Sequence, residues 1–209
     1  MDRLQDWDAS VPAWMGRFDD DDTDSVRRQD FAEAAIRLVA SEGFEGLTFR
    51  RLAAVKDCST TTIASLFGDR QGLWMAVYRM TVLRTQTRIR AAYVKTGGSP
   101  VACILAQMPV TAQGREDWAV YLAQNTVSAA NPIFADEYRR QVRYAVRDFA
   151  ELLNREHEFS QANARRASRV AFTLCIGIAV QAMFEPLSWS ARRQESYLRA
   201  QFELNGIPT

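Results

Sequence analysis

From residue 25 onward, apolar side chains recur three and four residues apart almost throughout, and nowhere do they alternate for the length of a strand. That periodicity restricts the chain to an all-α fold. Phe31, Ala34, Ala35, Leu38 and Val39 fall at i, i+3, i+4, i+7 and i+8, one apolar face of a helix from about Asp24 to Ser41. Gly43 closes it as a left-handed C-cap.

Thr48 is an N-cap residue for a short helix carrying Leu52, Ala53 and Val55, and Lys56-Asp57-Cys58-Ser59 reads as a turn. Ser59 then caps a helix over Thr60–Phe67. Its buried edge is Ile63, Leu66 and Phe67, while Thr60, Thr61, Thr62 and Ser65 stay polar. Two helices of about eight residues joined by a tight turn, the second presenting hydroxyls outward, have the form of a helix-turn-helix reader of the DNA major groove.

After Gly68-Asp69 a long helix is expected from about Arg70 to Lys95, ended by Thr96-Gly97-Gly98-Ser99-Pro100. Further helices are expected over Val101–Met108, Glu116–Ala130, Phe134–Glu156, Gln161–Phe184 and Ala191–Leu204. The domain reading is an acidic, flexible tail over 1–24, a DNA-binding domain over 25–72 and a helical effector and dimerisation domain over 73–209.

The formal net charge is only +1 over 209 residues. Its distribution is uneven. Residues 1–24 hold eight Asp against two Arg, a balance of −6, residues 25–95 hold twelve basic against six acidic side chains, +6, and the remainder balances at +1. A basic block of this kind points to a polyanionic partner.

Arg27 to Leu73 resembles the DNA-binding domain of the tetracycline-repressor (TetR) family of transcriptional regulators. The matching residues are Ala34, Ala35 and Leu38, then Glu42-Gly43-Phe44, Leu47-Thr48, Arg51-Leu52-Ala53, Ser59 through Thr62-Ile63, Phe67, and Arg70 before Leu73. The sequence departs from the family pattern at Asp57, where Gly is usual, at Ala64, where Tyr is usual, and at Arg70, where Lys is usual. A weaker resemblance covers the C-terminal half, through Trp118, Asn125, Ala130-Asn131-Pro132, Gly177–Ala179, Gln181-Ala182, Glu185-Pro186, Trp189-Ser190 and Arg193-Gln194. These look like the effector domain of choline-responsive betaine-pathway repressors.

The resemblance implies a three-helix DNA-binding domain joined by a long helix to a larger ligand-binding and dimerisation domain. Its partners would be a double-stranded DNA operator, a small-molecule effector and a second copy of the chain, with no cofactor. Phosphate contacts are expected from Arg27, Arg28, Arg50, Lys56 and Arg70, base readout from Thr60, Thr61, Thr62 and Ser65, and mixed capping and phosphate roles from Thr48 and Ser59. An effector pocket would draw on Trp74, Tyr78, Met108, Trp118, Tyr121, Leu122, Asn125, Phe134, Tyr138, Phe172, Cys175 and Met183. Asn125, an amide on an otherwise apolar helix, demands a buried partner. With no charged residue clearly placed there, the effector reads as apolar or weakly polar. Ala171, Cys175, Ile178 and Ala182, with Tyr197 and Leu198, are the candidate dimer face.

Competing classes are weaker. Cys58, Cys103 and Cys175 are odd in number and far apart, which gives neither a disulfide framework nor a zinc motif and suits a reducing cytoplasm. The N-terminus lacks the basic start and apolar stretch of a signal peptide, and the apolar run Val170–Phe184 is short of the roughly 20 residues of a membrane span. His157 is the sole histidine, and no nucleophile-base set or phosphate loop accompanies it. A helical interaction or sensor module that has lost operator binding is the alternative, motivated by Asp57 and Ala64. In the tail, Trp7, Val11, Trp14 and Phe18 recur at helical spacing ahead of Asp19–Asp22. That segment reads either as solvated, with Pro12 interrupting a helix, or as a docking stripe that covers the DNA face in cis or binds a partner.

Overall fold

The computed structural model describes residues 23–209; the expectations for residues 1–22 fall outside them. Every regular element among the described residues is a helix: α1 Thr23–Gly46, α2 Phe49–Val55, α3 Thr60–Phe67, α4 Arg70–Thr96, α5 Pro100–Leu105, α6 Ala112–Ala130, α7 Pro132–His157, α8 Gln161–Phe184 and α9 Ala191–Leu204. By internal packing the chain forms two compact units. One runs through Arg84 and takes in Ala119–Ala130; the other is Thr85–Trp118 with Asn131–Thr209. The division falls inside α4 and α6.

The first unit is built around α1. Gly43 leaves the helical conformation at φ 70°, which kinks the chain before it runs on to Gly46. Phe31, Ala35, Ile36 and Val39 of α1 meet Phe44 and Leu47, Leu52 of α2, Ile63, Leu66 and Phe67 of α3, Leu73, Val77 and Met80 of α4, and Val120 of α6. Thr48 Oγ1 accepts from the Arg51 amide at 3.2 Å and Ser59 Oγ from the Thr62 amide at 3.1 Å, so both short helices are capped as their sequences require. Between them Asp57 takes the left-handed conformation at φ 47°. The α3–α4 corner is tight. Gly68 turns at φ 76°, Asp69 Oδ1 accepts from the Gly72 amide at 2.7 Å, and a methyl group on Gly72 would overlap the Phe67 carbonyl oxygen.

In the second unit α7 packs along α8, and α9 lies on α8 with α5 touching all three. Capping explains where the helices depart from the expected bounds. Ser99 caps α5 and starts it at Pro100. Thr111 Oγ1 accepts from the Gly114 amide at 3.0 Å and α6 begins at Ala112, four residues before Glu116. Asn131 Oδ1 accepts from the Ile133 amide at 3.0 Å and α7 starts at Pro132. Helix α8 is long and apolar enough to cross a membrane, but Ala164, Ala167, Ser168, Ala171, Cys175, Ile178, Ala179 and Ala182 make a stripe buried inside the unit. These small residues let α7 and α9 approach closely.

Candidate nucleic-acid interface and effector body

Helix α3 is amphipathic in the way a reading helix needs. Ile63, Leu66 and Phe67 anchor one side in the core, which turns Thr60, Thr61 and Ser65 to solvent and leaves Thr62 half-buried. Ser59 Oγ lies 3.0 Å from Thr62 Oγ1 as well as capping the helix, so the first turn presents four hydroxyls in one patch. Hydroxyls both donate and accept, and threonine methyls can meet thymine methyls.

The expected phosphate cations separate into open and committed groups. Arg50 is exposed with no ion pair or hydrogen bond among the described residues, and Arg27 is exposed with its guanidinium 5.7 Å from the Phe31 ring. Arg70 is exposed, 3.4 Å from a Glu45 carboxylate oxygen and stacked 4.5 Å over Trp74. Arg28 and Lys56 have internal work. Arg28 Nε donates to the Leu66 carbonyl at 3.1 Å, tying α1 to the end of α3, and half-buried Lys56 reaches Asp30 at 2.5 Å above the Phe31 ring. Arg51, not among the expected contacts, is exposed and paired with Glu42.

The charge count needs the same correction. Residues 25–72 hold seven basic and six acidic side chains, so the surplus comes from Arg79, Arg84, Arg88, Arg90 and Lys95 on α4. Arg84 and Arg88 hold ion pairs: Arg84 Nη1 is 3.4 Å from Glu33, and Arg88 Nη1 is 2.7 Å from Asp117.

The expected effector residues divide between the units. Tyr78 is buried in the first, with Trp74, Tyr121, Leu122 and Asn125 half-buried; Met108, Trp118, Phe134 and Cys175 are buried in the second, with Tyr138, Phe172 and Met183 half-buried. Trp118 Nε1 donates to the Gln107 carbonyl at 2.6 Å and Trp74 Nε1 to Leu47 at 3.4 Å, so both indoles are anchored. The fully buried amide on α6 is not Asn125 but its neighbour Gln124, at 0% exposure. Gln124 Nε2 donates to Ser128 Oγ at 3.3 Å, and Oε1 has no hydrogen-bond partner among the described residues. The helical phase signals this: Gln124 lies four residues after Val120 and three before Val127, both packed in the core, whereas Asn125 is 100° further round.

Nor is the body free of buried charge. Asp117 is buried against Arg88, whose guanidinium also donates to the Ala106 carbonyl at 3.0 Å, Gln113 Oε1 at 3.3 Å and Thr85 Oγ1 at 3.0 Å. Asp148 of α7 is 9% exposed, with no hydrogen bond or ion pair among the described residues. Desolvation, helped by Glu151, pushes its carboxyl up to about 6. Burial, with Asp148 nearby, pushes the Cys103 thiol up to about 12. Tyr93, Glu156 and Arg155 form a polar cluster in which burial and then Glu156 raise the phenol, and His157 Nε2 lies 3.2 Å from the Gly98 carbonyl in a loop-fastening role.

The expected dimer stripe is likewise displaced. Ala171, Cys175, Ile178, Ala182 and Leu198 are buried within the chain, because the small residues of α8 that suit a close partner already have one in α7 and α9. Tyr197 is exposed, edge-on to Trp189 at 5.6 Å. The outward apolar surface of α8, α9 and their connection is Phe184, Leu187, Tyr197 and Leu204.

Residues 101–204 match the family description of the C-terminal domain of BetI-type transcriptional repressors. No curated protein matches the sequence. The chain belongs to the TetR family. Solved TetR-like structures share the fold. A transcriptional regulator from Rhodococcus sp. Rha1 superposes with a TM-score of 0.74 at 18% identity, covering 85% of this chain and 94% of that one. A candidate transcriptional regulator from Saccharomonospora viridis in complex with choline gives 0.70 at 21% identity, with 86% and 96% covered. A TetR-family regulator from Rhodococcus sp. gives 0.71 at 17% identity, with 88% and 100% covered. TetR proteins are transcriptional regulators, not enzymes.

Proposed function

We propose that this TetR-family chain is a cytoplasmic repressor that reads a DNA operator as a homodimer and is released by a small apolar or weakly polar molecule. The observation that carries the reading is the hydroxyl patch of Ser59, Thr60, Thr61 and Thr62 at the start of α3, held outward by Ile63, Leu66 and Phe67. Arg27, Arg50 and Arg70 supply phosphate contacts beside it, and Lys56 and Arg28 support α2 and α3 from within. One such head binds weakly, so two are needed, about one helical turn of DNA apart. Phe184, Leu187, Tyr197 and Leu204 are the apolar surface that a second copy would cover.

The effector contacts of the second unit are Met108, Trp118, Phe134, Tyr138, Phe172, Cys175 and Met183. The near-neutral balance of residues 25–72 supports the alternative of a sensor module without operator binding. A gel shift with the DNA upstream of the chain's own gene separates the two: a retarded, sequence-specific band at physiological salt is expected, and its absence refutes operator reading. Tryptophan quenching by a panel of small molecules that includes choline tests the effector class, and tight binding only of polyanions refutes it.

A further inference from the structure

The DNA-binding reading assigns no role to the first 22 residues. They hold seven Asp and two Arg, while residues 25–72 are close to neutral, so the segment and the DNA-binding helices together carry a negative charge. We propose that residues 1–22 compete with DNA for the reading face of α2 and α3, acting as a tethered anionic ligand. The inference rests on the DNA-binding reading above.

Four observations support it. The attachment point is fixed beside the reading helix, because Ser25 is buried and Arg28 Nε bonds the carbonyl of Leu66 at the end of α3. The arginines around that face already take carboxylates, Arg51 from Glu42 and Arg70 from Glu45, and Arg50 and Arg27 stand without an ion pair among the described residues. Reach is ample: 22 residues span up to about 75 Å extended, and the eight residues of α3 about 12 Å. Val26 and Val55 are 58% and 55% exposed, and Val55 precedes Lys56, which holds Asp30 one turn beyond Val26. These valines give the segment's Trp7, Val11, Trp14 and Phe18 an apolar place beside its point of attachment.

A segment tethered this way acts at an effective concentration on the order of 1 mM. If it binds the face with a dissociation constant of about 0.1 mM, apparent DNA affinity falls roughly tenfold, since the competition factor is one plus the ratio of the two. The interaction exchanges ions, so the factor shrinks as salt rises.

The test compares three proteins on a labelled duplex of random sequence at about 50 mM and about 300 mM salt. They are the full chain, the full chain with Asp19→Asn, Asp20→Asn, Asp21→Asn and Asp22→Asn together, and a chain beginning at Thr23. A synthetic peptide of residues 1–22 is also titrated onto the shortened chain, followed by anisotropy. Both altered proteins should bind the duplex about tenfold tighter at low salt and less than about twofold tighter at high salt. The peptide should bind at about 0.1 mM and be displaced by the duplex. Equal DNA affinities at low salt, or a gain without peptide binding, overturn the proposal. If none of the proteins binds DNA, operator reading fails while the peptide titration still decides this inference. Should the shortened chain not fold, the asparagine variant serves in its place, including for the peptide titration.

Discussion

Asp148→Asn should stabilise the protein at neutral pH and cost it about 1 kcal/mol in acid, where only the unpartnered amide counts. The buried carboxyl titrates at about 6 in the folded state against an ordinary value of 3.8. A raised acid pKa means the folded protein holds a proton that the unfolded chain has released. The penalty is therefore absent below about pH 4, grows between about 4 and 6, and is complete by about pH 7. Its size is about two pKa intervals at 1.36 kcal/mol each, or roughly 3 kcal/mol. The asparagine amide still needs partners, which takes back about 1 kcal/mol. The net gain at pH 7.5 is about 2 kcal/mol, a rise of roughly 4–8 °C in Tm for a chain of this length. Urea unfolding of both proteins at fixed concentration across pH 4 to 7.5 reads the difference directly, and the other titrating groups cancel. A difference independent of pH refutes the reasoning, because loss of a neutral packing contact would act equally at every pH.

Thr61→Ala should weaken the operator more than random DNA by about 1 kcal/mol, whereas Arg50→Ala should weaken both and lower the salt slope by about one; titrations at two salt concentrations separate them. Arg88→Met should destabilise by about 3–5 kcal/mol because it removes the guanidinium that faces the buried Asp117 carboxylate, and adding Asp117→Leu should recover most of that, measured by thermal unfolding. Gly72→Ala should lower Tm more than Gly177→Ala, since a methyl at 72 meets the Phe67 carbonyl and one at 177 meets nothing.

What was legible in the sequence had a local cause. Thr48 and Ser59 cap the helices that follow them, Gly43 and Asp57 adopt the left-handed backbone their positions suggest, and the bounds of α8 and α9 follow from the flanking Ser160 and Ser190. Less was legible where the cause is tertiary. Asn125 and Gln124 differ by one helical step, and only the packing of Val120 and Val127 decides which is buried. The small residues of α8 look the same whether they face a neighbour in the chain or a second copy. Lys56 and Arg28 count as positive charges in any sum, and only contact with Asp30 and Leu66 shows that they are spent inside the fold.

The struts of Arg28 and Lys56 bear on how such a reader would search a chromosome. Each cation committed internally is one fewer counterion released on contact with an arbitrary stretch of duplex, so residence on random sites shortens. Occupancy of an operator depends on its preference over the vast excess of competing sites more than on absolute tightness. A head that grips poorly everywhere would lose fewer copies to the rest of the genome, and a small number of molecules would suffice to keep one promoter closed.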